Sequence, residues 1–356
     1  MSLNIAEDDL ALDKAIASML IIGFEGHNPQ DSIVIKITNY LADDMLGGVI
    51  LFKRNIDDPQ QLKSLTSNFI KANPDIFITV DQEGGKVQRL TPAQGFKGFI
   101  SPAKAAQLPV EEARAVYEDM SLELNNHGIN LNFAPVVDIN NSNNPCPVIG
   151  PLERSYGEEA KKIVQYSEIF IDAHHKNKVL TSIKHFPGHG LATKDSHLGL
   201  VDVTDTAQEE ELLPFYELID KGKADMIMTA HLINRNLDSE GHPATLSKVI
   251  LKGLLADRLD KTLIIGDDLH MGAIASYYNF EDSIIKAINA GCNLIIFSNN
   301  PLACKNIIDF KPDYDIPNKF VMVVKKAIAE GKLSLEDIHK SAEKIKGLKA
   351  KLKNLA

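Results

Sequence analysis

Short runs of apolar residues, each about as long as a β-strand, recur along the chain. They are nearly continuous instead of alternating with polar residues, which is typical of strands in a parallel sheet buried on both faces. Eight such runs lie at residues 18–24, 48–52, 76–80, 129–134, 179–183, 225–229, 262–265 and 294–297. We therefore predict eight buried strands.

Amphipathic stretches with helical spacing lie between and after these runs. In the first of them, Ile37 and Leu41 recur on one helical face. Ser247 and Asp282 are the predicted N-caps of two later helices. The predicted helices span residues 31–46, 59–71, 111–126, 158–176, 208–222, 247–259 and 282–290.

This regular alternation of strands and helices predicts a (β/α)8 TIM-type barrel with some irregular strands. No linker rich in Pro, Gly or Ser divides the chain, so we predict one barrel domain over residues 1–356. A capping-box pattern begins at Ser334, and we expect a C-terminal helical extension from about residue 317. The alternative is an open doubly wound sheet, but the first strand–helix turn lacks the GxGxxG pattern.

Polar residues follow most of the predicted strands. In a barrel the carboxyl ends of all strands meet at one mouth, so these side chains predict a pocket there. They are Asp81 and Glu83 after strand three, Asn132 and Asp138 around the end of strand four, Lys184 and His185 at strand five, His231 at strand six, Asp267 and Asp268 at strand seven, and Ser298 and Asn299 at strand eight.

Composition excludes several classes of function. Apolar content of 44% and charged content of 24% are typical of a globular protein with a large core. The net charge of −10 and the absence of Trp argue against nucleic acid as a partner. No apolar run approaches the ~18 residues of a membrane-spanning helix, so no membrane span is predicted.

Cysteine usage and the N-terminus bear on the compartment. The three cysteines form no CxxC pattern, which suits a reducing environment. The N-terminus is acidic and lacks a basic segment and a small-residue cleavage site, so we expect a cytoplasmic protein. If the first three residues replace a removed signal peptide, the location is periplasmic or secreted instead.

The segment 181–199, TSIKHFPGHGLATKDSHLG, concentrates candidate chemistry. Lys184 and His185 come at the tip of a buried strand, before a Gly/Pro turn. Asp195 and His197 follow, two residues apart and so on one side of an extended segment. A carboxylate beside an imidazole forms a proton-transfer pair. The alternative is a solvated loop that happens to contain histidines.

Two further aspartates stand at strand ends. Asp267 comes directly after a buried strand. Desolvating a carboxylate there is unfavourable, which favours a functional role over a purely structural one. By strand alternation one of Asp267 and Asp268 points into the mouth, and Asp268 fits an N-cap for residues 269–275. Asp81 precedes a glycine pair that lets the backbone turn over a ligand, or it forms an Asx turn.

Other polar residues carry weaker arguments. Arg89 and Arg154 lie in the two long loops, 84–101 and 138–157, where an arginine is usually solvated. His231 is expected to be a hydrogen-bonded histidine of the barrel wall. Glu83, Glu153 and Asp138 show no feature that distinguishes them from structural carboxylates.

Two other chemistries use the same residues. A barrel metallohydrolase would need ligands from a set of five: His185, His189, His197, His231 and Asp267. Strand one, however, lacks the paired histidines usual in such barrels. A Schiff-base lyase would use Lys184 as the nucleophile, but it leaves the Asp–His pair without a role.

Four ordered motifs together resemble family 3 glycoside hydrolases. They are DQEGGKVQRL at residues 81–90, KHFPGHG followed by DSH at 184–197, MTAH at 228–231 and LIIGDDLHMGAI at 263–274. Within that family the chain is similar to the single-domain bacterial β-N-acetylglucosaminidases, or β-hexosaminidases, of peptidoglycan recycling. The resemblance extends from about residue 17 to about residue 298.

This resemblance implies a retaining exo-enzyme that removes terminal N-acetylglucosamine from a saccharide or muropeptide without a metal or cofactor. It implies Asp267 as the nucleophile and His197, assisted by Asp195, as the general acid and base. The sugar-binding positions that match the family are Asp81, Arg89, Arg154, Lys184 and His185.

The chain departs from the family pattern at three places. Gly266 stands before the nucleophile where a hydroxyl residue is usual, and His270 occupies a position that is usually small or acidic. The loop before Arg154 is two residues longer than in the shortest relatives.

Some alternatives stay open. Phosphate could replace water as the acceptor, which would make the enzyme a phosphorylase, or the barrel could serve only as a carbohydrate-binding module. The aglycone is an anhydro-muropeptide, chitobiose or another conjugate. We expect a monomer.

Overall fold

The computed structural model describes residues 2–194, 199–304, 307 and 310–355, with side chains from residue 8 onward. In chain order the strands are β1 (Leu20–Gly23), β2 (Gly48–Leu51), β3 (Phe77–Val80), β4 (Leu131–Asn132), β5 (Leu180–Phe186), β6 (Val201–Asp202), β7 (Met226–Thr229), β8 (Leu232–Ile233), β9 (Leu263–Ile265) and β10 (Ile295–Phe297). All except β6 and β8 form one eight-stranded parallel sheet. β10 pairs with β1, and a bridge between Ile265 and Leu294 closes the barrel.

Helices surround this barrel. They are α1 (Ser2–Ala17), α2 (Ser32–Ala42), α3 (Pro59–Ala72), α4 (Pro102–Ala105), α5 (Val110–Asn126), α6 (Ala160–Lys176), α7 (Leu213–Asp220), α8 (Lys248–Leu254), α9 (Gly272–Ala275), α10 (Phe280–Ala290), α11 (Ile316–Ala329) and α12 (Leu335–Asn354). The predicted (β/α)8 architecture is confirmed. α11 and α12 occupy the region of the predicted extension, and the assignment of the chain to a single domain stays a prediction.

The eight predicted strands coincide with the barrel strands. Each run is buried because helices cover the sheet outside and opposing side chains fill it inside. β5 continues through Phe186, three residues beyond the predicted end. β4 is shorter than predicted, since its regular pairing stops at Asn132.

Two of the predicted helix caps are present and two are wrong. The hydroxyl of Ser247 accepts from the amide of Ile250 at the start of α8, and the hydroxyl of Ser334 accepts from the amide of Asp337 at the start of α12. Asp282 is not a cap, because Asn279 caps α10 by accepting from the Asp282 amide at 2.8 Å. Asp268 caps no helix either, since α9 begins only at Gly272.

A second, smaller apolar cluster lies apart from the main barrel core. It joins the loops after β4 and β5 to the short β6–β8 sheet and includes Val136, Ile149, Ala192, Val201 and Leu232. These loops are therefore packed on a core of their own at the mouth of the barrel. No helix in the described ranges is long and apolar enough to cross a bilayer.

Candidate active site

A cavity of about 300 Å³ opens at the carboxyl ends of the barrel strands. Six of the eight predicted site residues line it: Asp81, Arg89, Arg154, Lys184, His185 and Asp267. The sequence motifs that carry these residues are far apart along the chain, and the barrel brings them together as predicted.

The remaining two, Asp195 and His197, lie outside the described residues. Before this segment, Ala192 is buried in the small cluster at the mouth. After it, a Cβ placed on Gly199 would lie 3.9 Å from the hydroxyl of Tyr277, in the loop that follows α9.

Lys184 and His185 both line the cavity although they are neighbours on one strand. In a regular strand, adjacent side chains point to opposite faces. The pairing of β5 with β7 shifts register between Ile183 and Phe186. Such an irregularity re-aims a side chain, which accounts for both residues facing the mouth.

Lys184 is fully buried and neutralises two carboxylates. Its ammonium lies 2.9 Å from Asp81 Oδ1 and 2.7 Å from Glu83 Oε1. Arg89 Nη2 lies 2.9 Å from the other oxygen of Asp81. Burial on its own would raise the pKa of Asp81, but Lys184 and Arg89 outweigh it and hold the pKa well below the usual range. Asp81 is therefore an ionised hydrogen-bond acceptor in the cavity wall.

Glu83 binds Arg154 through two parallel hydrogen bonds. Arg154 Nε and Nη2 each donate to one carboxylate oxygen at 2.8 Å. Burial opposes ionisation, yet Arg154 and then Lys184 lower the pKa of Glu83 to about 2. The longer loop therefore still delivers Arg154 to the cavity, where Glu83 fixes its guanidinium plane.

Asp138 orients His185. The imidazole Nδ1 donates to Asp138 Oδ2 at 2.7 Å, and Nε2 accepts from Arg154 Nη2 at 3.3 Å. A guanidinium only donates, so these partners assign the proton to Nδ1. Asp138 Oδ1 also accepts from the backbone amides of His185 and His189. Asp138 therefore supports the histidine-bearing turn as well as the His185 ring.

Asp267 is held by its own backbone and by a buried chain of hydroxyls. Its Oδ1 accepts from the amide of Asp268 at 2.8 Å, and its amide donates to Thr229 Oγ1 at 3.2 Å. Thr229 in turn bonds Thr245 Oγ1 at 2.8 Å, and Thr245 bonds His231 Nδ1 at 2.8 Å. His231 Nε2 donates back to the Asp268 carbonyl at 3.0 Å. These contacts form a closed ring of hydrogen bonds behind Asp267, which we call the arch.

His231 is the wall histidine that the sequence predicts, since both of its ring nitrogens are hydrogen-bonded. No three His, Cys, Asp or Glu side chains converge on a possible metal site within the described ranges. Asp268 lines the cavity as well, so the prediction that only one of the two aspartates faces the mouth is wrong. Its Oδ1 accepts from the amides of His270 and Ser298. Burial raises the pKa of Asp268 to about 6.

Gly266 and His270, the two unusual residues beside Asp267, border the hydrogen bonds behind Asp267 and the end of β10 respectively. A Cβ at Gly266 would lie 3.4 Å from Thr245, so the space of the missing side chain borders the arch. His270 accepts from the Asn299 amide at 3.1 Å and packs edge-on against Phe297. Burial lowers the pKa of His270 to about 4, so its ring is neutral near pH 7.

Glu83 and Asp138 are predicted at the barrel mouth but without a role in the site, and they hold three of the predicted site residues in place. A role for Glu83 beside Asp81 could have been inferred from its position two residues later, which places both on one side of an extended segment. No comparable pattern marks Asp138, because its partner His185 lies on the next barrel strand.

The family model described as "Glycosyl hydrolase family 3 N terminal domain" matches residues 11–348. Two similar proteins are named beta-hexosaminidase. That of Actinobacillus pleuropneumoniae serotype 5b (strain L20) is 37% identical over 279 residues, which cover 76% of this chain and 79% of the relative. That of Haemophilus influenzae (strain Rd) is 34% identical over 305 residues, covering 82% of each.

A solved structure gives the same result. The glycoside hydrolase family 3 beta-N-acetylglucosaminidase from Paenibacillus sp. FPU-7 matches with a TM-score of 0.84 and 31% identity. The match covers 97% of this chain but 63% of that protein, so the present chain is similar to somewhat under two thirds of its length.

Proposed function

The chain belongs to family 3 of the glycoside hydrolases, as its motifs predict, and we propose that it is a retaining exo-β-N-acetylglucosaminidase. It removes non-reducing terminal N-acetylglucosamine through a covalent glycosyl-aspartate intermediate. The observation that carries the proposal is that Asp267 lines the same cavity as the Asp81–Lys184 pair. A nucleophile and a set of hydroxyl-binding charges therefore face one bound sugar.

Substrate binding follows from the charge arrangement. Asp81 accepts hydrogen bonds from sugar hydroxyls, while Lys184, Arg89 and Arg154 donate to them. Because every one of these groups is already paired within the wall, little reorganisation is needed when the sugar binds. A cavity of about 300 Å³ is at the small end of ligand pockets, which suits a single terminal sugar.

Catalysis then takes two displacements. Asp267 attacks the anomeric carbon while His197 donates a proton to the departing oxygen, forming the glycosyl-enzyme. His197 next removes a proton from water, which releases the sugar with its β configuration retained. Asp195 stabilises the protonated imidazole, and the arch behind Asp267 holds its backbone during both displacements.

Proton NMR of the first-formed product tests the proposal. We expect the β-anomer of N-acetylglucosamine to appear first and mutarotate later. An initial α-anomer contradicts the role of Asp267 as a nucleophile. Running the reaction in phosphate buffer separates hydrolysis from phosphorolysis, since a phosphorylase forms the sugar 1-phosphate instead of the free sugar.

The natural aglycone is peptidoglycan-derived or chitin-derived, and we propose a cytoplasmic, monomeric enzyme of peptidoglycan recycling. The three cysteines are free and buried, which suits a reducing compartment. Comparing kcat/KM on an anhydro-muropeptide with that on chitobiose distinguishes the two substrate classes. Light scattering gives the oligomeric state, and fractionation of the source cell gives the location.

A further inference from the structure

The turn at residues 187–191 separates the substrate cavity from a second cavity. On one side of it, His185 and His189 line the substrate cavity. On the other side, Pro187 and Gly188 line a space of about 670 Å³ together with Glu211. A turn with open space behind it needs a support other than side-chain packing to stay in place.

Two buried carboxylates supply that support by binding successive backbone amides. Asp138 Oδ1 accepts from the amide of His189 at 2.9 Å. Glu211 Oε1 accepts from the amide of Leu191 at 3.2 Å, and the amide of Gly190 also donates to Glu211. The turn is therefore held from the β4 side by one acid and from the α7 side by the other.

The fit between the turn and its supports is close. A Cβ on Gly188 would come within 2.5 Å of the Cβ of Glu211. A Cβ on Gly190 would come within 1.6 Å of the carbonyl oxygen of Ile139. Both positions therefore require glycine, and the turn cannot move toward either support.

Glu211 is itself well fixed. It lies in a 3₁₀ turn, Glu209–Leu212, that leads into α7, and its Oε2 accepts from the Gln208 amide at 3.4 Å. Glu211 is only 3% exposed to solvent, whereas the adjacent Glu209 and Glu210 are exposed. Burial and then the charge of Asp138 raise the pKa of Glu211 to about 7. A buried acid in this position is costly and has no part in the mechanism above.

We propose that Glu211 is a positioning residue, which holds the 188–191 turn so that His189 and His185 keep their places in the wall of the substrate cavity. This inference rests on the proposed function of that cavity. It assigns a role to a residue outside the four sequence motifs. Glu211 contacts the turn from the side of the second cavity.

The test compares KM for an aryl β-N-acetylglucosaminide and Ki for free N-acetylglucosamine in three variants. Neither constant depends on the fraction of folded enzyme, so a merely structural role leaves both unchanged. We expect Glu211→Ala to raise both by about 10-fold, because the wall loses its fixed position. Glu211→Gln keeps one accepting oxygen and is expected to stay within about 3-fold of wild type.

Glu210→Ala is the matched control, since it removes an exposed carboxylate one residue away, and both constants should stay at their wild-type values. Wild-type KM and Ki in Glu211→Ala overturn the proposal. If that variant does not fold, Glu211→Asp replaces it. Its carboxylate is withdrawn by one methylene, so KM and Ki should again rise, and unchanged values overturn the proposal.

Failure of the proposed function is recognised separately. If the wild type does not hydrolyse the aryl glycoside, the proposed function fails. Calorimetry then still measures the dissociation constant of N-acetylglucosamine for wild type and for Glu211→Ala, and comparing the two constants tests the positioning role.

Discussion

Arg154 and Glu83 are joined by two parallel hydrogen bonds, each 2.8 Å long, in the wall of the substrate cavity. Both side chains are almost completely buried, and Lys184 lies 2.7 Å from the same carboxylate. Glu83 is thus a buried acid that two cations share. Removing its charge leaves both cations without their shared partner.

Glu83→Gln is therefore expected to lower the free energy of unfolding at pH 7 by about 3–5 kcal/mol, the usual cost of breaking a buried ion pair on one side. Urea denaturation measures this loss in the free energy of unfolding. Glu118→Gln is the control, because the exposed Glu118–Lys176 pair, at 2.7 Å, should contribute at most ~1 kcal/mol. A loss no larger than in this control would contradict the structural role of Glu83.

The same pair predicts a pH dependence. The pKa of Glu83 is lowered in the folded protein to about 2. The stability that it contributes is thus fully present above its ordinary pKa near 4.5, and is lost as the pH falls toward 2. The difference between wild type and Glu83→Gln should shrink between about pH 4.5 and pH 2.

The barrel could be predicted because burial on both faces leaves a direct trace in the sequence. Each parallel strand must be apolar along its whole length, so all eight appear as continuous runs. Convergence of the strand ends then follows from the fold, and it brings Asp81, Lys184 and Asp267 into one cavity.

Two features of the site could not be predicted, because they depend on contacts between distant parts of the chain. The sequence places Glu83 at the mouth but does not show its two ion pairs, because Arg154 reaches it from the loop after β4 and Lys184 from β5. The shift of register in β5 turns His185 toward the cavity, against the alternation of a regular strand. The cap of α10 is likewise Asn279 and not the predicted Asp282, because residue type alone does not show which side chain reaches the free amides.

Asp267→Ala is expected to lower kcat by roughly 10⁴-fold or more, since it removes the attacking group. Azide is small enough to enter the space that the carboxylate leaves. It should restore turnover by attacking once from the same side and so give the α-glycosyl azide, detectable by proton NMR. Wild-type enzyme with azide is the control. Formation of a β-azide in Asp267→Ala would assign the nucleophile elsewhere.

His197→Ala is expected to affect substrates according to their leaving groups. A good leaving group, such as a dinitrophenolate, departs without a proton, so the loss there should be within about 10-fold. A sugar aglycone needs the acid, and the loss should reach about 10²–10⁴-fold. Steady-state kinetics on a series of aryl glycosides measures the slope, and Asp195→Asn should give an intermediate one.

The exposed pair His27 and Asp57, 3.4 Å apart, offers a control for these variants. His27→Ala also removes an imidazole beside an aspartate, but neither residue lines the cavity, so it should leave every rate unchanged. An equal loss on good and poor leaving groups in His197→Ala would exclude His197 as the acid.

Thr229→Val is expected to lower kcat by about 10–100-fold, because a displaced nucleophile attacks less often in the productive geometry. The substitution keeps the shape of the side chain but leaves the Asp267 amide and the Thr245 hydroxyl without their partner. Thr229→Ser retains the hydroxyl and should restore most of the activity.

Thr79→Val is a matched control, since Thr79 is also a buried barrel threonine, yet its hydroxyl has no hydrogen-bond partner among the described residues. It should leave kcat unchanged and not lower the free energy of unfolding. If Thr229→Val and Thr79→Val have the same kcat as wild type, the arch does not position Asp267.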